Sequence, residues 1–212
     1  MTKQLSLFEE DNIQTDTLAK REKCIERQYL ESKFAHLLRE ELSLASLVSY
    51  VGNKNVPVLR LYRYKEAFAC SFVEKFISRF GLNDKDYLFD PFCGMGTTLF
   101  TASQKGIPSL GVDKLPLAVF VAQTLPLFYS LKPGQLKETF EKLKVRVQQA
   151  PPAPVALDVA IMKIAFPADK LLLLRKWKTV INGLESPLKD IFLLLFFSIL
   201  EPCSYHKPFR RW

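Results

Sequence analysis

The apolar positions of this chain change rhythm along its length, and each change marks a different kind of element. Ile25, Tyr29, Leu30, Phe34, Leu37, Leu38 and Leu42 recur at helical spacing with Lys, Arg and Glu between them. That pattern predicts a packing helix running from a cap at Asp16 to about Ser49. His36 adjoins the stripe and reads as structural. Asn53 to Tyr64 is irregular, and Phe68 to Phe80 predicts a second helix closed by Gly81. The period then shortens. Tyr87-Leu88-Phe89 predicts a strand, Leu99 to Lys105 a helix ended by Gly106, and Pro108-Ser109-Leu110-Gly111-Val112 a second strand ending at Asp113. Beyond it only helices are legible: Pro116 to Leu125, Pro133 to Gln149, Lys170 to Leu184 and Leu188 to Leu200. Ala150-Pro151-Pro152-Ala153-Pro154 reads as a stiff linker between them. The most apolar run, Ile191 to Leu200, is ten residues long. That is too short to cross a bilayer, so it is expected to be a buried helix.

Between the first strand and its helix stands Asp90-Pro91-Phe92-Cys93-Gly94-Met95-Gly96-Thr97-Thr98. A strand, a tight glycine turn and a helix start make a cofactor cradle. Glycines let a ligand approach the backbone, and the free N–H groups of the helix start attract a negative group. A phosphate-binding P-loop is excluded, because no Lys follows the glycine pair. A dinucleotide fingerprint would place a third small residue where Leu99 stands. Asp113 lies 17 residues after Gly96, near the ~20 expected when a carboxylate at the next strand tip grips ribose hydroxyls. With Pro116 close behind, Asp113 also suits a plain helix N-cap.

Charge adds a partner class. The chain carries 30 Lys/Arg against 22 Asp/Glu, net +8, but residues 1–50 hold seven Lys/Arg against nine Asp/Glu, so the excess lies in the remainder. A basic body suits an acidic partner such as nucleic acid, or it is a solvated surface. Lys170, Arg175, Lys176 and Lys178 crowd one helix around Trp177, and they are candidates for backbone-phosphate contact or for a solvated face. Cys24, Cys70, Cys93 and Cys203 are scattered without metal-ligand spacing, and the opening residues are not expected to be a signal peptide. Thiols in a reducing cytoplasm, no metal site and no membrane span are the expectation. Met1 to Thr15 is polar and aperiodic, and reads as a flexible tail.

The glycine stretch resembles the S-adenosylmethionine (SAM) loop of methyltransferases. Asp-Pro-Phe-Cys-Gly-x-Gly-Thr-Thr is similar to the first motif of DNA amino-methyltransferases of the restriction-modification kind, which modify adenine N6 or cytosine N4. The resemblance implies an α/β, Rossmann-like methyltransferase fold with SAM as cofactor and duplex DNA as substrate. Asp90, Pro91, Phe92, Cys93, Gly94, Gly96, Thr97, Thr98 and Asp113 would then hold the cofactor. Pro57 to Phe68 resembles a second cofactor-contacting segment, which would bring Tyr64, Lys65 and Phe68 near the methionine end. Arg63 and Lys65 are equally readable as surface charges. A similar Asp-Pro-Phe-Cys-Gly loop occurs in tRNA guanine-N2 methyltransferases, which leaves RNA as an alternative substrate. A non-catalytic accessory protein docked on DNA or on the sliding clamp is a further alternative. In the tail, Gln4-Leu5-Ser6-Leu7-Phe8 resembles the peptide that holds the bacterial sliding clamp, with Gln4, Leu5, Leu7 and Phe8 as anchors; these residues could instead fold back on the body.

Two features of such enzymes are missing. Only two strands are legible, so the sheet is expected to be incomplete. The Asp/Asn/Ser-Pro-Pro-Tyr/Phe motif that holds the target amine is absent. The only Pro-Pro, Pro151-Pro152, is flanked by Ala150 and Ala153 and offers neither an acceptor nor a stacking ring. Pro202-Cys203 pairs the residues of a cytosine-C5 nucleophile, but Glu201 and Ser204 do not match that setting, so Cys203 reads as structural or incidental. No catalytic residue is therefore assigned. The expected organisation is a tail (1–15), a helical segment (16–50), a SAM-binding α/β core (51–130) and a helical C-terminal part (131–212). It corresponds to the front portion of the enzyme, either truncated or complemented by a separate C-terminal half, and inactive alone.

Overall fold

The structure, a computed structural model, describes residues 25–37, 41–155 and 164–205. The tail with its Gln4 to Phe8 peptide, the cap at Asp16, Cys24, Leu38 and residues 206–212 lie outside them. The chain divides into two compact units, Met1–Ser43 and Leu44–Trp212.

In the first unit residues 25–34 form helix α1, followed by a 3-10 turn at Ala35–Leu37. The expected run to Ser49 is not continuous. A second 3-10 turn occupies Leu42–Leu44, and Ser49 turns its hydroxyl onto the Val51 N–H at 3.3 Å. Ser43, Ser46 and Ser49 fall where the helix was expected, and serine hydroxyls compete for backbone groups, favouring caps and turns. The stripe is not a buried one: Ile25, Tyr29, Leu30, Phe34 and Leu37 are all exposed.

The second unit begins with 3-10 turns at Tyr50–Asn55 and Leu59–Leu61, then helix α2, Cys70–Phe80. Helix α2 starts two residues later than its apolar pattern suggested. The buried side chain of Asn53 donates to the Phe68 carbonyl (2.8 Å) and accepts from the Cys70 N–H (2.9 Å), fixing the entry from outside the helix. It ends as expected at Gly81, whose φ of 64° closes it in the left-handed conformation. Strand β1, Leu88–Asp90, leads through the glycine turn into α3, Thr97–Gln104. Strand β2, Ser109–Gly111, lies parallel to β1 with Leu88 opposite Ser109, Phe89 opposite Leu110 and Asp90 opposite Gly111. Among the described residues these two strands are the whole sheet.

Helices α4 (Pro116–Thr124), α5 (Gln135–Gln149), α6 (Ala168–Asn182) and α7 (Leu188–Cys203) follow close to their expected limits. None of the described helices is long and apolar enough to cross a membrane. Val73, Ile77, Ala102 and Ile107 form one apolar cluster between α2 and α3. Leu143, Val147, Val180, Ile181 and Phe192 form a second among α5, α6 and α7. In a third cluster Leu194 of α7 joins Leu59, Met95, Val121 and Leu125, so the last helix supports the glycine turn.

The stretch expected to be a linker is docked instead. Ala153 is buried, its N–H donates to the Arg175 carbonyl (3.1 Å), and its own carbonyl accepts from Arg175 Nε at 2.6 Å. Lys176 Nζ donates to the Gln148 carbonyl at 3.2 Å. Two of the four cations proposed for phosphate contact thus bind the chain's own carbonyls, because α6 packs beside the end of α5. Lys170 and Lys178 are exposed, and Trp177 stacks on Phe140 with centroids 5.6 Å apart.

Candidate cofactor site

The turn from β1 to α3 is held by two carboxylates. Asp90, at the end of β1, accepts from the Phe92 N–H (3.1 Å) through one oxygen and from the Thr98 hydroxyl (2.5 Å) through the other. Both ends of the turn are therefore tied to one side chain. Asp113, just past β2, accepts from the Gly94 N–H (2.9 Å) and from the Leu115 N–H (2.8 Å). It acts as the N-terminal anchor of the α4 entry and also reaches across to the glycine turn. Each carboxylate oxygen has a second lone pair, so these two bonds leave acceptor capacity for a ligand.

The glycines answer two separate needs. Gly94 and Gly96 have φ of 52° and 85°, the left-handed region that side chains disfavour. At Gly96 a Cβ would also stand 3.0 Å from the Ala122 Cβ, so α4 could not pack as closely. Gly111, which the sequence did not single out, is tighter than either glycine of the turn. A Cβ there would lie 2.7 Å from the Cβ and 2.8 Å from the Sγ of Cys93. The paired strands continue past their formal ends, with the Val112 N–H donating to the Asp90 carbonyl and the Cys93 N–H to the Val112 carbonyl, both at 3.0 Å.

Cys93 is buried, and burial, reinforced by Asp90 and Asp113, pushes its thiol above the usual range. It is held as a neutral packing group, with little thiolate character for nucleophilic work. Thr97 is buried, and its hydroxyl has no partner among the described residues. Phe92 stands out from the turn, 86% exposed.

Tyr64 lies against the turn. Its ring lies 3.4 Å from where a Gly94 Cβ would be, and its phenol is pushed upward, first by burial and then by Asp113. The other two residues of the resembling segment have different surroundings. Lys65 is exposed, and Phe68 packs on Phe72 (5.2 Å between centroids) in the cluster between α2 and α3. Instead a pocket of about 170 Å³ opens beside the turn, walled by Tyr50, Leu59, Tyr62, Tyr64 and Met95 with Arg60 and Arg63. Arg63 donates twice to the Tyr50 hydroxyl, at 2.8 and 3.1 Å, and lies over its ring. Val58, at φ 72°, forms a tight turn closed by the Leu59 N–H on the Pro57 carbonyl at 2.9 Å. A β-branched residue in that region is strained, and such strain concentrates where a segment is held for function. No periodicity links Tyr50 to Arg63, so the sequence could not have assembled this wall.

The pocket is smaller than the ~300–1,000 Å³ of ordinary ligand sites. It can take one arm of a nucleoside cofactor, with the remainder lying along the open glycine turn. Aromatic rings suit a sulfonium, and Arg60 and Arg63 suit a carboxylate. Among the described residues no group of three or more His, Cys, Asp or Glu is placed to hold a metal.

No protein-family model matches the chain. No solved structure matches it either. Curated proteins do. The type II methyltransferase M.BsoBI of Geobacillus stearothermophilus is 33% identical over 200 residues, covering 89% of this chain and 38% of that protein. M.AvaI of Nostoc sp. is 37% identical over 89 residues, 42% of this chain and 18% of that protein. M.MjaII of Methanocaldococcus jannaschii is 33% identical over 97 residues, 46% of this chain and 18% of that protein. The chain therefore spans well under half the length of each curated relative named here. By sequence it is a homologue of type II methyltransferases, matching a part of each.

Proposed function

We propose that this chain is the SAM-binding part of a DNA amino-methyltransferase of the restriction-modification kind, acting on adenine N6 or cytosine N4. The observation that supports it most is the turn at Asp90–Thr98, tied through Gly94 to Asp113 at the tip of the neighbouring strand. That geometry lies in a chain whose relatives are type II methyltransferases. In this reading Gly94 and Gly96 leave room for the cofactor, and Asp113 uses its remaining lone pairs on the ribose hydroxyls. Tyr64 lies against the sulfonium end, and Arg60 or Arg63 takes the carboxylate in place of Lys65. SAM supplies the electrophilic methyl group. The chain's own residues position and desolvate it, and proximity accounts for most of such catalysis. The two-stranded sheet is the start of a Rossmann-like one. No residue here is assigned to hold the target amine, so the chain alone should not turn over.

Isothermal titration with SAM tests this. Wild type should bind, and Asp113→Ala and Gly96→Asp should each weaken binding by about tenfold or more, equivalent to ~1.4 kcal/mol. A folded wild type that gives no heat, or variants that bind as wild type does, would overturn the assignment. Labelled methyl transfer to mixed-sequence duplex DNA by the pure chain should stay at background.

A further inference from the structure

Residues 44–65, which open the second unit, carry Lys54, Arg60, Arg63 and Lys65 and no Asp or Glu; the run ends at Glu66. This short segment holds half of the chain's net charge of +8. All four cations are exposed, and among the described residues none of them forms an ion pair. The lysines of α5 differ, since Lys142 and Lys144 each meet a glutamate one turn away, at 2.6 and 3.0 Å. Lys54, Arg60 and Arg63 line the pocket beside the glycine turn, and no carboxylate lines it with them. Tyr50 gathers two of the three. Lys54 Nζ lies 5.7 Å and the Arg63 guanidinium 5.5 Å from the centre of its ring. Arg63 also donates twice to the Tyr50 hydroxyl, a neutral acceptor that leaves the positive charge uncompensated. Cations concentrated without partners attract a polyanion, which gains affinity as counterions are released. On α6, by contrast, Arg175 and Lys176 are taken up by the chain's own carbonyls.

We propose that Lys54, Arg63 and Lys65 bind the phosphodiester backbone of the DNA strand that carries the target base, beside the cofactor turn. The inference rests on the functional reading above for the identity of its polyanion. Arg60, which has no hydrogen bond or ion pair among the described residues, is then left for the cofactor carboxylate. The base to be methylated has to reach the methyl group, so its flanking phosphates are brought to the pocket that these cations edge. Contacts of this kind fix position on the strand without reading its sequence.

Fluorescence anisotropy of a labelled mixed-sequence duplex, titrated with the whole chain between about 50 and 200 mM salt, tests this. Lys54→Gln combined with Lys65→Gln should weaken binding by about tenfold or more at the lowest salt. The plot of log affinity against log salt should become shallower by ~1.8, because each lost phosphate contact removes ~0.9. Both side chains are exposed, so this variant should keep the circular dichroism and the SAM binding of wild type. Lys54→Arg combined with Lys65→Arg should keep the slope of wild type, as should Lys170→Gln combined with Lys178→Gln on α6. A slope flattened by the α6 pair and untouched by the Lys54 and Lys65 pair overturns the proposal. So does a wild-type chain that does not bind the duplex at the lowest salt. A structured RNA bound more tightly than the duplex, with the same loss in the glutamine variant, would overturn the choice of DNA. SAM titration of the same samples separates the two readings. A flattened slope without SAM binding in wild type sinks the cofactor assignment alone, and SAM binding with an unchanged slope sinks this surface alone.

Discussion

The segment from Leu88 to Asp113 and the helices from Gln135 to Cys203 are held together by different means. In the first, single atoms decide. One carboxylate ties Phe92 to Thr98, another ties Gly94 to Leu115, and Gly111 lies where Cys93 leaves no room for a methyl group. In the second, bulk decides: Leu143, Val147, Val180, Ile181 and Phe192 share one apolar interior while mixed charges occupy the outside. A site that must hold a ligand needs directional contacts with little play, whereas a supporting bundle needs only buried volume. The two meet at Leu194, a bundle residue fully buried in the same cluster as Met95 of the turn.

That meeting point is where the largest effect is expected. Leu194→Ala should cost about 2–5 kcal/mol in urea unfolding, as for other fully buried leucines. It should also speed hydrogen exchange around Met95. Destabilisation without any change near Met95 would mean that the bundle does not support the turn. Next comes Gly111→Ala, which should cost about 1–3 kcal/mol by forcing apart the strand end and Cys93. A neutral outcome would show that the turn has slack and would erase the contrast with the bundle.

The smallest effects separate the regions by pH. Burial, with Asp90 and Asp113, raises the Cys93 thiol, so the unfolded chain loses that proton first as pH rises. The folded state then holds more protons, and stability falls as pH climbs through the ordinary thiol range toward the raised value. Cys93→Ala should flatten that slope, and iodoacetamide should label Cys93 slowly in the folded protein. On α5 the sign is opposite. Lys142, at 2.6 Å, lowers the Glu138 carboxyl, so its contribution is full above the ordinary glutamate range and is lost as pH falls through the lowered value. Because that pair is exposed, Lys142→Ala should leave the acid limb nearly unchanged. A marked change there would show that surface charge matters to the bundle after all.

What could be read beforehand was local. The strand, the glycine turn and its helix fall within a few residues of one another, so spacing alone placed Asp90 to Thr98. Asp113 was named with two roles open. In the structure Leu115, not Asp113, is the N-cap of α4, while Asp113 accepts from the Leu115 N–H just before the helix and from the Gly94 N–H of the glycine turn. Phe68 stands near Tyr64 in sequence, but its packing against the cluster between α2 and α3 was not legible from that. The helix expected to reach Ser49 gives way to 3-10 turns at Ala35–Leu37 and Leu42–Leu44, and Ser49 takes the Val51 N–H at its far end.

By itself, then, the order of residues settled the kinds of element and the chemistry of one turn, since both depend on neighbours a turn or a strand away. Folding in three dimensions decided which distant groups meet. Arg63 reaches Tyr50, Arg175 holds Ala153, Leu194 joins Met95 and Cys93 presses on Gly111. These contacts are not encoded in any period of the chain, because they arise from packing elements whose relative placement only the buried clusters determine.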